Sequence, residues 1–272
     1  MIRVLITSVP GLEDIVIEEL RSTVKPLRVS KISPGKLLIC LDYSNGRKLL
    51  LNVSHLRSVE RVILVIFDKE LKELSLDKVT SIVEEEIEKG KELFEYITPL
   101  MSYSVRAKRT GEHEFTSIDI ASAIGDVIKL TIKKQYGKEA PVRLVCSDIK
   151  FYVELLEKYL LFGIDITGPR PLHERDYKVF IHPSSLNPII AYAIVKLAKI
   201  RPGHRILDPM CGSATILIEC GLCYKDVELY GVDINPKFLK GAEMNVRKAG
   251  LEDRIKLILG DATSLGEMFP QN

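Results

Sequence analysis

The chain has 272 residues, 46% hydrophobic and 28% charged, a balance that excludes a wholly disordered polymer and gives room for about two domains or three small modules. Its 39 basic and 37 acidic side chains leave a formal charge of +2, so the total argues neither for nor against a nucleic-acid partner. Five cysteines, at 40, 146, 211, 220 and 223, form an odd set without a disulfide framework and point to a reducing compartment. No apolar run of about 18 residues occurs, and Pro10, Gly11, Glu13 and Asp14 interrupt the N-terminal stretch where a secretion signal needs its apolar core. The expectation is a soluble, cytoplasmic protein.

In chain order, RVLITS reads as a strand and GLEDIVIEELRSTV as an amphipathic helix burying Leu12, Ile15, Val16 and Leu20. RVSKI and KLLICL are two short strands turned at Pro34-Gly35, followed by a helical stretch and the apolar strand RVILVIF. Strand, helix, strand, strand, helix, strand is the order of a ferredoxin-like module, here expected over residues 1–70. Residues 61–99 then carry 6 basic and 10 acidic groups. The excess lies in SLDKVTSIVEEEIEKGKELFE, where Leu76, Val79, Ile82, Val83 and Ile87 fall at helical spacing and the carboxylates take the solvated face.

SYSVRAKR is a strand alternating apolar and basic residues. A long helix follows, with Thr116 and Ser117 placed before Asp119 as N-caps are, and Gly137 ends it. VRLVCS, FYVELLE and YLLFGID are three further strand candidates, making an α+β unit over 71–165. ITGPRPLHERDY lacks apolar periodicity and marks a linker over 166–186. Over 187–272, NPIIAYAIVKLAKI (helix), RILDPM (strand), SATILIECGL (helix), ELYGVDI (strand), PKFLKGAEMNVRKAG (helix) and IKLILGDA (strand) alternate strictly, as in a parallel, doubly wound sheet.

The chemistry concentrates in this last unit. RILDPM ends in the small-residue turn Cys211-Gly212-Ser213-Ala214-Thr215 before a helix, which aims backbone N–H groups and a positive helix end at a ligand crevice. Asp233 closes the next strand, where a carboxylate accepts hydrogen bonds from ribose hydroxyls, and Asp261 follows the third. DPMCGSAT does not match the dinucleotide fingerprint G-x-G-x-x-G, and no phosphate-binding G-x-x-x-x-G-K-[ST] loop is present. Each acid has a plainer reading as the cap of the next helix, and Cys211 one as a small packing residue. Cys220-x-x-Cys223 lies at a helix end without two partner ligands, which favours packing over a metal site.

ILDPMCGSATILIE resembles the first motif of class I S-adenosylmethionine-dependent methyltransferases, in the subgroup that modifies RNA guanosine at N2; YGVDINP and ILGDA are similar to the second and third motifs. The resemblance implies a Rossmann-like domain in which Asp208, Cys211, Gly212, Ser213 and Thr215 meet the methionine part of S-adenosylmethionine, Asp233 its ribose and Asp261 its adenine. SVRAKRTGEHEFTSIDIASAIGDVI and FYVELLEKYLLFGIDITGPRPLHERDYKV resemble a THUMP domain, an RNA-binding module of tRNA- and rRNA-modifying enzymes, normally preceded by a ferredoxin-like module. The implied function is methylation of a tRNA guanosine at N2 in the acceptor-stem region, with an rRNA guanine-N2 enzyme next. RNA binding needs cations on phosphate. The candidates are Arg106, Lys108, Arg109 and His113, then Arg170, His173, Arg175 and Lys178; the plainer reading for each is a solvated surface.

Two departures stand out. Ala214 occupies a position that is usually glycine, which is expected to weaken cofactor binding. The Asn/Asp-Pro-Pro-Tyr/Phe motif that aligns the guanine amine in this family follows the third strand by about 15–20 residues, and EMFPQN ends the sequence first. The chain is therefore expected to be truncated within the methyltransferase domain, with no catalytic residue assigned, and to be completed by a downstream segment or a separate chain. The alternative is a non-catalytic RNA-binding protein or fragment. A thiolation or deamination enzyme fits less well, since neither a PP-loop nor an H-x-E…P-C-x-x-C pattern occurs.

Overall fold

A computed structural model describes residues 1–90, 93–182 and 184–269. Lys91 and Glu92 of the expected acidic helix, Pro183 of the linker, and Pro270, Gln271 and Asn272 of the last module lie outside the described residues. The elements run β1 (Ile2–Thr7), α1 (Glu13–Thr23), β2 (Arg28–Ser33), β3 (Lys36–Leu41), α2 (Tyr43–Asn52), β4 (Arg61–Glu70), α3 (Leu76–Gly90), the short α4 (Leu93–Tyr96), β5 (Tyr103–Thr110) and α5 (Ser117–Tyr136). They continue with β6 (Ile149–Leu156), β7 (Tyr159–Asp165), α6 (Pro188–Leu197), β8 (His204–Asp208), α7 (Thr215–Cys223), β9 (Val227–Asp233), α8 (Pro236–Lys248) and β10 (Ile255–Leu259). No helix among the described residues is long and apolar enough to cross a membrane.

The chain forms two compact units that do not follow chain order. Met1–Thr7, Leu20–Ser54 and Arg61–Arg170 make the first; Ser8–Glu19, His55–Glu60 and everything from Pro171 make the second.

In the first unit, β2-β3-β1-β4 have the antiparallel order expected of a ferredoxin-like module, and β4 then pairs with β7, so the sheet continues as β2-β3-β1-β4-β7-β6-β5. A bulge between Val65 and Phe67 adjusts the register where the two halves join. Alternation then sorts the side chains: Phe67, Phe151, Val153, Leu160 and Phe162 pack with Val79, Val83, Ile87, Ile120, Ile124 and Ile128 from α3 and α5. On the opposite face Leu5, Ile63, Val65, Tyr152 and Leu161 form a smaller cluster.

That second face is concave. Lys36 on β3 and Glu154 on β6 are four strand steps apart, roughly 19 Å in a flat sheet, yet Lys36 Nζ lies 2.8 Å from Glu154 Oε1. Only a strongly coiled sheet brings them together. Tyr152 OH donates to the other carboxylate oxygen at 2.6 Å, and Glu154 is fully buried. Its partner Lys36 stands at the rim, with 15% of its side chain exposed.

The ends of α5 are those the sequence predicts. Thr116 Oγ1 accepts from the Asp119 N–H and the Asp119 carboxylate from the Thr116 N–H, a capping box, and Gly137 closes the helix at φ 69°. VRLVCS is a correction: only one isolated bridge forms there, between Val142 and Tyr103. Leu144 and Val145 are 85% and 79% exposed, and Cys146 turns to φ 53°, which breaks the extended run.

The second unit carries the parallel sheet β10-β9-β8. Helix α7, TILIECGLC, is apolar on nearly every side, as a largely buried helix is: Leu217, Ile218 and Cys220 are fully buried and pack with Leu229, Ala242 and Val246, while Leu222 near its end is exposed.

Candidate functional site

The registers Asp208↔Gly231 and Asp233↔Leu259 align the carboxyl ends of β8, β9 and β10. Asp208, Asp233 and Asp261 thus lie along one edge, as the sequence predicts. Asp233 is buried and holds the turn itself: its Oδ2 accepts the Gly212 N–H at 2.9 Å and its Oδ1 the Asn235 N–H at 2.8 Å. A carboxylate has about four acceptor sites, so both oxygens keep capacity for a further donor. Asn235, rather than Asp233, caps α8. Asp208 accepts the Met210 N–H at 3.3 Å, and burial raises its pKa, with the Asp233 charge adding to the shift. Asp261 takes the plainer role: it caps the short turn of helix at 262–264, accepting from the Thr263 N–H and hydroxyl, which lowers its pKa.

Cys211 is buried, its N–H donates to Val232 O at 2.9 Å, and burial together with the Asp208 and Asp233 charges pushes its thiol up to about 12. It is a packing residue. Gly212 adopts φ 51° with nothing within 4 Å of where a Cβ would stand. Ala214, next but one, takes φ 61° as the N-cap of α7, and that helix start has no side-chain cap. The usual glycine is explained by this backbone: a left-handed alanine costs about 1–2 kcal/mol. Ser213 Oγ lies 2.6 Å from Ser185 Oγ and 3.2 Å from Thr215 Oγ1, so Ser213 and Thr215 are tied together.

Sequence reasoning missed the residues that hold this turn. Asn245 of α8, fully buried, pairs with the backbone of Phe180 in both directions, accepting its N–H at 2.8 Å and donating to its carbonyl at 2.9 Å, and also donates to Ser213 O at 3.2 Å. Gly241 makes room for this, since a Cβ there would lie 2.2 Å from the Phe180 ring. The signal was an amide on the same helical stripe as Leu239, Ala242 and Val246. Glu219, the one carboxylate in α7, is fully buried and was passed over as well.

The RNA candidates divide. Arg106 and Lys108 project from one face of β5, in register with Tyr152 and Glu154. Arg109 points to the other face, its Nη1 3.4 Å from His113 Nδ1, and the His113 Nε2–H donates to Glu157 O at 3.1 Å. Arg170 is exposed, while His173 is half-buried with Nδ1 unpartnered. Arg175 and Lys178 are corrections. The Arg175 side chain is 9% exposed and spent on Glu219 Oε1 and on the carbonyls of Leu56, Arg57 and Leu172. Lys178 is half-buried, donates to Leu186 O at 3.1 Å, and has its pKa lowered by burial.

Known proteins carry the same two modules. Residues 72–165 match the THUMP domain family, and 175–271 match a family described as an RMKL-like methyltransferase domain. A tRNA (guanine(6)-N2)-methyltransferase of Methanocaldococcus jannaschii is 30% identical over 305 residues, spanning 98% of this chain and 78% of its own length. The chain belongs to the THUMP-containing guanine-N2 methyltransferases. Its counterpart from Archaeoglobus fulgidus is also 30% identical, over 97% of this chain and 71% of its own length. TrmN from Thermus thermophilus superposes with a TM-score of 0.79 at 27% identity, covering all of this chain and 76% of its own. In these relatives one polypeptide carries both modules, and a separate completing chain finds no support.

Proposed function

We propose that this member of the family acts on tRNA, transferring a methyl group from S-adenosylmethionine to N2 of a guanosine, with the THUMP-bearing unit gripping the RNA. When bound, S-adenosylmethionine supplies an electrophilic methyl group on sulfonium sulfur. The observation that carries the reading is Asp233, whose carboxylate is fixed by the Gly212 and Asn235 N–H groups and keeps acceptor sites for ribose hydroxyls. The space beside Gly212 fits a ligand lying against the backbone. The N-terminus of α7, free of a side-chain cap, suits the methionine carboxylate. Asp208, Cys211, Ser213 and Thr215 shape that turn, and Asp261 at the third strand end would meet the adenine amine.

Arg106, Lys108, Arg109 and His113, with Arg170 and His173, are the proposed phosphate contacts. Guanosine 6 of tRNA is the favoured target class, because the two archaeal relatives so named match nearly the whole chain. A cytoplasmic setting is supported by the five free cysteines.

Calorimetric titration with S-adenosylhomocysteine and, separately, with tRNA tests both halves. Asp233→Ala is expected to weaken the nucleoside at least about tenfold. The double substitution R106A/K108A is expected to lower tRNA affinity and flatten its salt dependence by about one unit per lost contact. Unchanged nucleoside binding in the Asp233 variant overturns the cofactor assignment.

A further inference from the structure

Glu219 lies one helical turn beyond Thr215 on α7. Its Oε2 accepts from Arg57 Nε at 2.6 Å, and its Oε1 from Tyr177 OH at 2.8 Å and Arg175 Nε at 3.2 Å. The Arg57 backbone is held as well, although Nη2 of its guanidinium is buried without a partner among the described residues. The N–H groups of Arg57 and Ser58 donate to Glu19 at 2.8 and 2.9 Å, and the Arg57 carbonyl accepts from Arg175 Nη2 at 2.6 Å. Two arginines and two glutamates thus balance their charges across 8–19, 55–60, the start of 171–182, and α7, all within the second unit. Burial alone would lower the Arg57 pKa, but the bond to Glu219 and its charge outweigh this and hold it raised.

Well-packed apolar residues commonly equal or exceed such a buried cluster in stability, so its directional bonds matter more than its energy. The turn Cys211–Thr215 has no side-chain cap on α7 and a left-handed alanine at its end. Asp233 and Asn245 hold the turn's backbone at Gly212 and Ser213, and the anchoring of α7 further along fixes where its uncapped end stands. Glu219 is that anchor, and its nearest cation comes from a segment that in sequence belongs to the ferredoxin-like module.

We propose that Glu219 is a positioning residue through which Arg57 sets the cofactor turn, so that affinity for the methyl donor depends on a residue of the N-terminal module. This rests on the cofactor site proposed above. Three variants of the full chain, Glu219→Gln, Arg57→Met and Arg57→Lys, are compared for S-adenosylhomocysteine affinity, thermal midpoint, and amide hydrogen exchange at Cys211–Leu217.

Glu219→Gln and Arg57→Met are expected to lose about tenfold in affinity and to exchange faster at Cys211–Leu217, with the amides of β6 and β7 unchanged. Arg57→Lys keeps the charge without the planar fork and is expected to recover part of both. The double variant R57M/E219Q is expected to bind no worse than the weaker single one. Wild-type affinity and exchange in the variants overturn the proposal, as does a uniform speeding of exchange across both units. A wild-type chain that binds no nucleoside overturns the cofactor reading instead, and the exchange comparison still decides the link from Arg57 to the turn.

Discussion

Each unit encloses a glutamate fully shut off from solvent, and in each a tyrosine hydroxyl donates to it, yet the two carboxylates do different work. Glu154 faces a single ammonium at the rim of the coiled sheet. The Lys36 stem can swing its charge into water if the partner is lost. Glu219 faces two guanidiniums, and that of Arg175 continues into three backbone carbonyls, so it cannot leave without unpairing the chain around it. A point charge closes a curve, whereas a planar fork joins segments.

Removing each acid in turn separates the two clusters. Glu219→Ala takes the shared carboxylate from Arg57 and Arg175, whose side chains are 22% and 9% exposed, and is expected to cost about 3–5 kcal/mol. Glu154→Ala mainly unpairs the Tyr152 hydroxyl and is expected to cost about 1–3 kcal/mol. Denaturant unfolding followed with a probe in each unit measures both, and equal losses would mean that the two clusters are alike after all.

Asn245→Leu tests whether the neutral clamp behaves like the charged one. With the Phe180 N–H and carbonyl left unpaired, a loss of about 1–3 kcal/mol is expected. Ala214→Gly runs the other way: release of the left-handed strain is expected to stabilise the second unit by about 1 kcal/mol, less the glycine's greater unfolded entropy. A lowered thermal midpoint would show that the turn does not hold that strain in solution. The thiols give the mildest contrast. Exposed Cys146 is expected to alkylate readily at pH 8, while Cys211, its thiol pushed up to about 12 by burial, stays unmodified in the folded chain; mass spectrometry of the labelled peptides reads this directly.

Much of the architecture was legible, because period-two strands and 3.6-period helices write their buried faces locally. The capping box at Thr116, the closing Gly137 and the three acids at strand ends could all be read from a few adjacent residues. VRLVCS misled because an apolar run says nothing about whether a partner strand exists, and Leu144 and Val145 point to solvent. Glu154 and Glu219 were hidden for the opposite reason. A glutamate reads as surface, and their cations lie 118 and 162 residues away. Arg175 drew attention as a cation in an irregular stretch, where composition cannot tell a guanidinium turned inward from one offered to phosphate.

The interleaving of the two units has a consequence for synthesis. Residues 8–19 and 55–60 leave the ribosome early but belong to a body whose other part starts at Pro171, and β4 waits for β7 to cover its second edge. Until the linker and α7 emerge, Arg57 lacks Glu219 and Arg175 and the β4 edge stays open to wrong pairing. Long-range closure of this kind folds slowly, so the nascent chain spends its elongation time half-assembled, and a cut at 170 separates Glu219 from Arg57 rather than freeing a finished domain.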